Sequence, residues 1–96
     1  MIRHIVMTKF KQGTDDATIT DIEKSLRALP GKIPEIKEFE CGRDVLHTER
    51  SFDFALISAF EDLDALQRYQ VNPDHQAAAA KIRAVAEVMK AVDYEF

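Results

Sequence analysis

The chain has a single cysteine, Cys41, and this scarcity removes two structural solutions. No intrachain disulfide can form, and a zinc site built on paired thiolates cannot be assembled from one sulfur. Runs of basic charge are also missing. Lysine and arginine do not cluster and the net charge is −4, which disfavours a surface that tracks a phosphate backbone. No apolar run approaches the length that crosses a bilayer, and the opening MIRHIVMTKFK is too polar and too regularly alternating for a signal peptide. The expectation is therefore a cytoplasmic protein with neither nucleic acid nor membrane as partner. No internal repeat or low-complexity tract is present.

What remains is an ordinary globular composition, 46% hydrophobic and 31% charged, over 96 residues. That length predicts one domain, residues 1–96. A chain this short buries somewhat over ~60% of its unfolded surface, so its core is modest and an interface with a second copy would help it.

Periodicity orders the elements. Residues Ile2 to Lys11 alternate, with Ile2, His4, Val6, Thr8 and Phe10 on one face and Arg3, Ile5, Met7 and Lys9 on the other, as in a strand. Ile19, Ile22, Leu26 and Leu29 form one stripe of a helix from about Asp15 to Leu29, which Pro30-Gly31 stops. Ile36 to Arg43 is a second strand whose charges suggest exposure or an edge. Phe52 to Phe60 is a third, apolar on both faces and so buried on both.

The stretch Phe60 to Gln76, FEDLDALQRYQVNPDHQ, organises the rest. Asp62 caps a short helix with Leu63, Leu66 and Tyr69 on one side. Asn72-Pro73 breaks it, because proline cannot continue a helix without losing a hydrogen bond. Asn72 is a good N-cap for a new helix, with Pro73 in its first position and Asp74 favourable to its dipole. Ile82, Val85 and Ala86 carry the stripe onward, and Glu87 to Phe96 alternates as the last strand.

The order is β-α-β-β-α-β with the second helix broken. It predicts an α+β, ferredoxin-like fold: a four-stranded antiparallel sheet with its helices on one face. The other face is then bare in a single copy. It is expected to carry Ile5, Met7, Phe39 and Ile57, a larger patch than a soluble monomer usually exposes, and so to be covered by a second copy.

Five segments in this order, IRHIVMTKFK, IPEIKEFECGRDV, the phenylalanine-rich strand ending AFED, the helix with Tyr69 followed by NPDH, and AVDYEF, resemble the stress-responsive α/β-barrel domain family along the whole chain. The resemblance implies a homodimer, a dimeric α/β barrel, with functions that are diverse or unassigned and in some members linked to stress tolerance. A plant branch similar to olivetolic acid cyclase closes linear polyketides by an aldol reaction without a cofactor. By position, its catalytic histidine, tyrosine and first-strand histidine fall on His75, Tyr69 and His4. The departure is Asn72, where many members carry another histidine, and it weighs against any metal site that needs that group.

Each candidate has a structural reading beside the catalytic one. His75 sits in a first helical turn, where the positive dipole end favours a neutral imidazole able to accept a proton; it equally reads as a histidine bonding its neighbours. Tyr69 suits a hydrogen-bond donor to an enolate, or a core residue with its hydroxyl at the rim. His4 lies on an apolar strand face, where a satisfied core histidine is common. Asp93 reads as a carboxylate paired within the fold, Cys41 as a small buried residue, and Glu61 to Asp64 as capping and surface charge. The expected protein is a homodimer of unassigned or stress-related role, holding a small apolar ligand between sheet and helices. The alternative is a cofactor-free cyclase or lyase that takes a proton α to a carbonyl. A weaker one, on fold analogy alone, is a dimeric α/β-barrel monooxygenase.

Overall fold

The computed structural model describes all residues, Met1–Phe96. The first strand, β1 (Ile2–Phe10), leads through a Gln12-Gly13 turn to helix α1 (Asp16–Arg27). Gly13 has φ +88°, a left-handed conformation that suits glycine. The Asp15 side chain accepts from the Thr18 N–H at 2.8 Å, so the helix begins one residue after its cap. Its expected last residue, Leu29, belongs instead to a separate 3₁₀ turn, Leu29–Gly31, with Pro30 inside it.

Strands β2 (Glu38–Arg43) and β3 (Phe54–Phe60) each start two residues later than their alternation suggests. Helices α2 (Leu63–Val71) and α3 (Pro73–Val85) follow, and β4 (Ala86–Glu95) closes the chain. The sheet is antiparallel with order β2-β3-β1-β4, so β2 is an edge as its charges suggest. The fold is α+β and ferredoxin-like.

All three helices bury their apolar sides against one face of the sheet. Ile2, Phe10, Phe54, Leu56 and Phe60 from the strands meet Ile22 and Leu26 of α1, Leu66 and Tyr69 of α2, and Ile82 of α3. Arg43, at the end of β2, ties that edge to α1 by donating to Glu23, Asp16 and Thr20.

Two expectations about faces change. Phe39 is not on the open face: it opposes Ser58 in the β2–β3 register, and so packs with the helix-covered core. The reason is the period of two, which sends Glu38, Glu40 and Gly42 outward once Phe39 turns inward. Leu63 is 66% exposed, and the buried side of α2 is Ala65, Leu66 and Tyr69. The open face keeps Ile5, Met7 and Ile57, joined by Val92 and Tyr94 of β4.

Candidate functional site

The Asn72-Pro73 break sets the site. Asn72 has an extended backbone (φ −64°, ψ 131°), and its side chain accepts from the Asp74 N–H at 2.8 Å. Its own N–H donates to the Tyr69 carbonyl at 3.1 Å, ending α2. The chain therefore turns in the space of one residue, and His75 comes back over the end of α2. There its Nδ1–H donates to the Gln70 carbonyl at 3.3 Å, a group the ended helix leaves without an intrahelical partner. A donor at Nδ1 leaves Nε2 of the neutral ring as the basic nitrogen.

Tyr69 is fully buried at the centre of the group. Its ring centroid lies 4.1 Å from that of His75, 4.7 Å from Phe60 and 6.3 Å from His4. Its hydroxyl is the one buried side-chain polar atom without a hydrogen-bond partner. The core position expected of a tyrosine at this spacing is therefore correct, but the hydroxyl is enclosed rather than at the rim. Burial alone pushes its pKa up to about 12, so the group is a proton-bearing donor at neutral pH.

His4, on the covered face of β1, is 7% exposed and pairs through Nδ1 with the Asp93 carboxylate. The β1–β4 register puts Asp93 directly opposite His4. The partnership orients the ring as a second carboxylate orients a catalytic imidazole, and directs Nε2 away from Asp93. His75 is half-buried, and burial lowers its pKa; the bond to Gln70 opposes this, and the charges of His4 and Arg83 add to it. The ring is therefore biased toward the neutral form that can accept a proton.

The structure thus brings His4, Tyr69 and His75 to one place on the helix-covered side of the sheet. The space between them is occupied by the tyrosine ring itself. The larger depressions, of about 410 and 420 Å³, lie elsewhere: one on the open sheet face, the other beside Met1, Leu63 and Glu95. Among the residues singled out from the sequence, Asp93 has a more specific position than expected. The signal that could have located its partner is the strand register, which pairs the fourth residue of the chain with the fourth from its end. Cys41 is half-buried, and burial raises its thiol pKa, which makes it a poor nucleophile. Asp62 caps α2 by accepting from the Ala65 N–H. No group of three or more His, Cys, Asp or Glu side chains is placed to hold a metal ion. No helix is long and apolar enough to cross a membrane.

Comparison with known proteins agrees with this architecture. An uncharacterized protein of Streptomyces coelicolor is 39% identical over 98 residues, covering 100% of both chains. Olivetolic acid cyclase of Cannabis sativa is 25% identical over 95 residues, covering 97% of this chain and 94% of its own. A crystal structure of a dimeric ferredoxin-like protein of unknown function from Thermobifida fusca superimposes with a TM-score of 0.91 at 29% identity, covering 99% of this chain and 90% of the other. The family model described as Stress responsive A/B Barrel Domain matches residues 2–96, and the chain belongs to that family.

Proposed function

We propose that this protein is a homodimer that holds a small, largely apolar carbonyl compound at Tyr69, between the sheet and the α2–α3 break. The observation that carries the reading is the enclosed Tyr69 hydroxyl without a partner. A buried donor left unmade costs roughly 1–3 kcal/mol, so a ligand oxygen that accepts from it recovers a bond the free protein forgoes. The surroundings, Phe60 and the two imidazole rings, are aromatic, and no lysine or arginine hydrogen-bonds with the hydroxyl to select a carboxylate. Because the tyrosine ring fills the space, entry of the ligand requires the α2–α3 break to open. Support for the dimer comes from the apolar open face and from the dimeric Thermobifida fusca neighbour. The stress-related role draws its support from the family description alone.

A second reading, turnover of that compound, is favoured by the lowered pKa of His75 and its fixed tautomer. His75 Nε2 takes a proton from the carbon next to the carbonyl. The C–H electron pair moves into the carbon–carbon bond and the carbonyl π pair onto oxygen, giving an enolate that accepts from the Tyr69 hydroxyl. The enolate carbon attacks a second carbonyl of the same molecule, and the new alkoxide recovers the proton from His75. The relative named olivetolic acid cyclase supports this class of reaction.

The test is thermal unfolding against a panel of small ketones, aromatic ketones and keto acids. A ligand present at a hundred times its Kd stabilises by about 2.7 kcal/mol, a shift of several degrees in Tm. The expected result is stabilisation of the wild type by ketones and, at the same concentration, about half that stabilisation of Tyr69→Phe, whose affinity is about tenfold lower. Equal stabilisation of both proteins would place the ligand elsewhere and end this reading. Product formation that persists at the wild-type rate in His75→Ala would end the second.

A further inference from the structure

Four rings pack together at the site, and three of them are closed off from solvent. Tyr69, Phe60 and His4 are buried, and His75 is the half-buried one. With its centroid 4.1 Å from that of Tyr69, the His75 ring is the outer cover of the phenol.

Its hold is slight. The 3.3 Å bond from Nδ1–H to the Gln70 carbonyl is open to solvent, and no ion pair includes the ring. His4, by contrast, is fixed by Asp93. The helices on either side of the break are anchored elsewhere. Helix α2 buries Ala65, Leu66 and Tyr69, and α3 buries Ala78 and Ile82. Lys81 of α3 donates to Asp21 and Ser25 of α1 at 3.0 and 2.8 Å. Moving a helix disrupts these contacts together. Turning the His75 side chain to another staggered rotamer gives up one long hydrogen bond and one ring contact. The ring is therefore the part of the break that opens with least loss, and its departure frees the space against Tyr69.

A proton changes the balance between the two positions. Protonation adds an N–H at Nε2, which makes no hydrogen bond in the packed position. Burial is the largest influence against the charged ring, and Arg83 of α3 and His4 of β1 add to it. The α3 dipole has its positive end at this first turn. On the other side stand the Gln70 carbonyl of α2 and the carboxylate of Asp74, next to His75 in the chain. Asp93 of β4 is already bonded to His4, the Tyr69 phenol of α2 is neutral, and Phe60 of β3 carries no charge. The imidazolium is thus better placed in water than on Tyr69.

We propose that the His75 ring is a proton-operated gate: neutral, it lies on Tyr69 and closes the site, and protonated, it swings into solvent and opens the site without movement of either helix. The proposal rests on the reading of Tyr69 as the ligand's donor and adds how access to it is regulated. The swung-out ring has the ordinary pKa near 6.5 and the packed ring a lower one. Acid therefore favours the open form. Its population rises as pH falls through about 6.5, by up to about tenfold per pH unit, and levels off at the lowered pKa.

The experiment needs no ligand. N-acetylimidazole acetylates accessible tyrosine hydroxyls, and N-acetyltyrosinamide in the same tube corrects for the pH dependence of the reagent. Mass spectrometry of the tryptic peptide of residues 69–81 reads Tyr69 alone, since that peptide holds no other tyrosine. The relative reactivity of wild-type Tyr69 is expected to rise as pH is lowered from about 7.5 to about 5.5. In His75→Phe, whose ring stacks but does not titrate, it is expected to stay low and flat. In His75→Ala it is expected to be high and flat. A flat wild-type profile overturns the gate, and so does an acid rise of equal size in His75→Phe, which would place the opening elsewhere in the fold. Either result, with ketones still stabilising the wild type more than Tyr69→Phe, ends the gate and leaves the ligand reading standing. The expected profile without any ketone binding supports the gate and ends the ligand reading instead.

Discussion

Replacing Tyr69 with Phe is expected to stabilise the free protein while weakening its hold on a ligand. The ring keeps its contacts, 4.7 Å from Phe60 and 4.1 Å from His75, because the two side chains share the same ring. What is removed is one hydroxyl that is buried without a partner in the folded state and hydrated in the unfolded one. The desolvation penalty of such a group is about 1–3 kcal/mol, offset in part by the small void left where the oxygen was. A net gain of about 1 kcal/mol follows, which for a chain of this length raises Tm by roughly 4–8 °C. The assay is thermal and urea unfolding followed by circular dichroism at neutral pH, far below the tyrosine pKa of about 12, so the wild-type group is protonated throughout. The same variant is expected to bind a ketone about tenfold more weakly, having lost one hydrogen bond. The two effects have opposite signs, which separates them from general damage to the core. A Tyr69→Phe protein that is less stable than wild type would refute the reasoning. The hydroxyl would then have a partner in solution, such as a trapped water.

Asn72→Ala removes the cap between α2 and α3 and is expected to cost roughly 1 kcal/mol, read as a fall of several degrees in Tm. The lowered His75 pKa makes the unfolded chain bind more protons than the folded one just below its ordinary value near 6.5. Stability should therefore be full above that pH and decline as pH falls through the window, and a Tm-against-pH series should be flatter there for His75→Gln. Ile57→Asp places a carboxylate amid the apolar open face, and light scattering should then report monomer. Asp93→Asn should leave the fold intact and shift the ring-nitrogen resonances of His4, because its Nδ1 partner changes from carboxylate to amide.

Much of this protein follows from local chemistry in the chain. Alternation places Ile2, His4, Thr8 and Phe10 on one buried side of β1, since successive strand residues point to opposite faces whatever they pack against. Asp15, Asp62 and Asn72 mark three helix starts, because each cap is satisfied by a backbone N–H two or three residues away. The break that returns His75 over α2 is likewise legible, because proline's missing N–H and fixed φ act within a few residues. Other features depend on segments far apart in the chain. The sequence carries the alternation of β2, but its register against β3 decides that Phe39 faces the helices and Glu40 the open side. Whether the Tyr69 hydroxyl reaches solvent depends on Phe60 and His75 closing around it, which helical spacing does not encode. The pairing of His4 with Asp93 spans 89 residues and exists only because β1 and β4 lie side by side. Local rules act through neighbouring backbone groups and so survive in a reading of the chain alone. Partnerships between distant side chains are set by how the sheet is assembled, and that is decided only when the core packs.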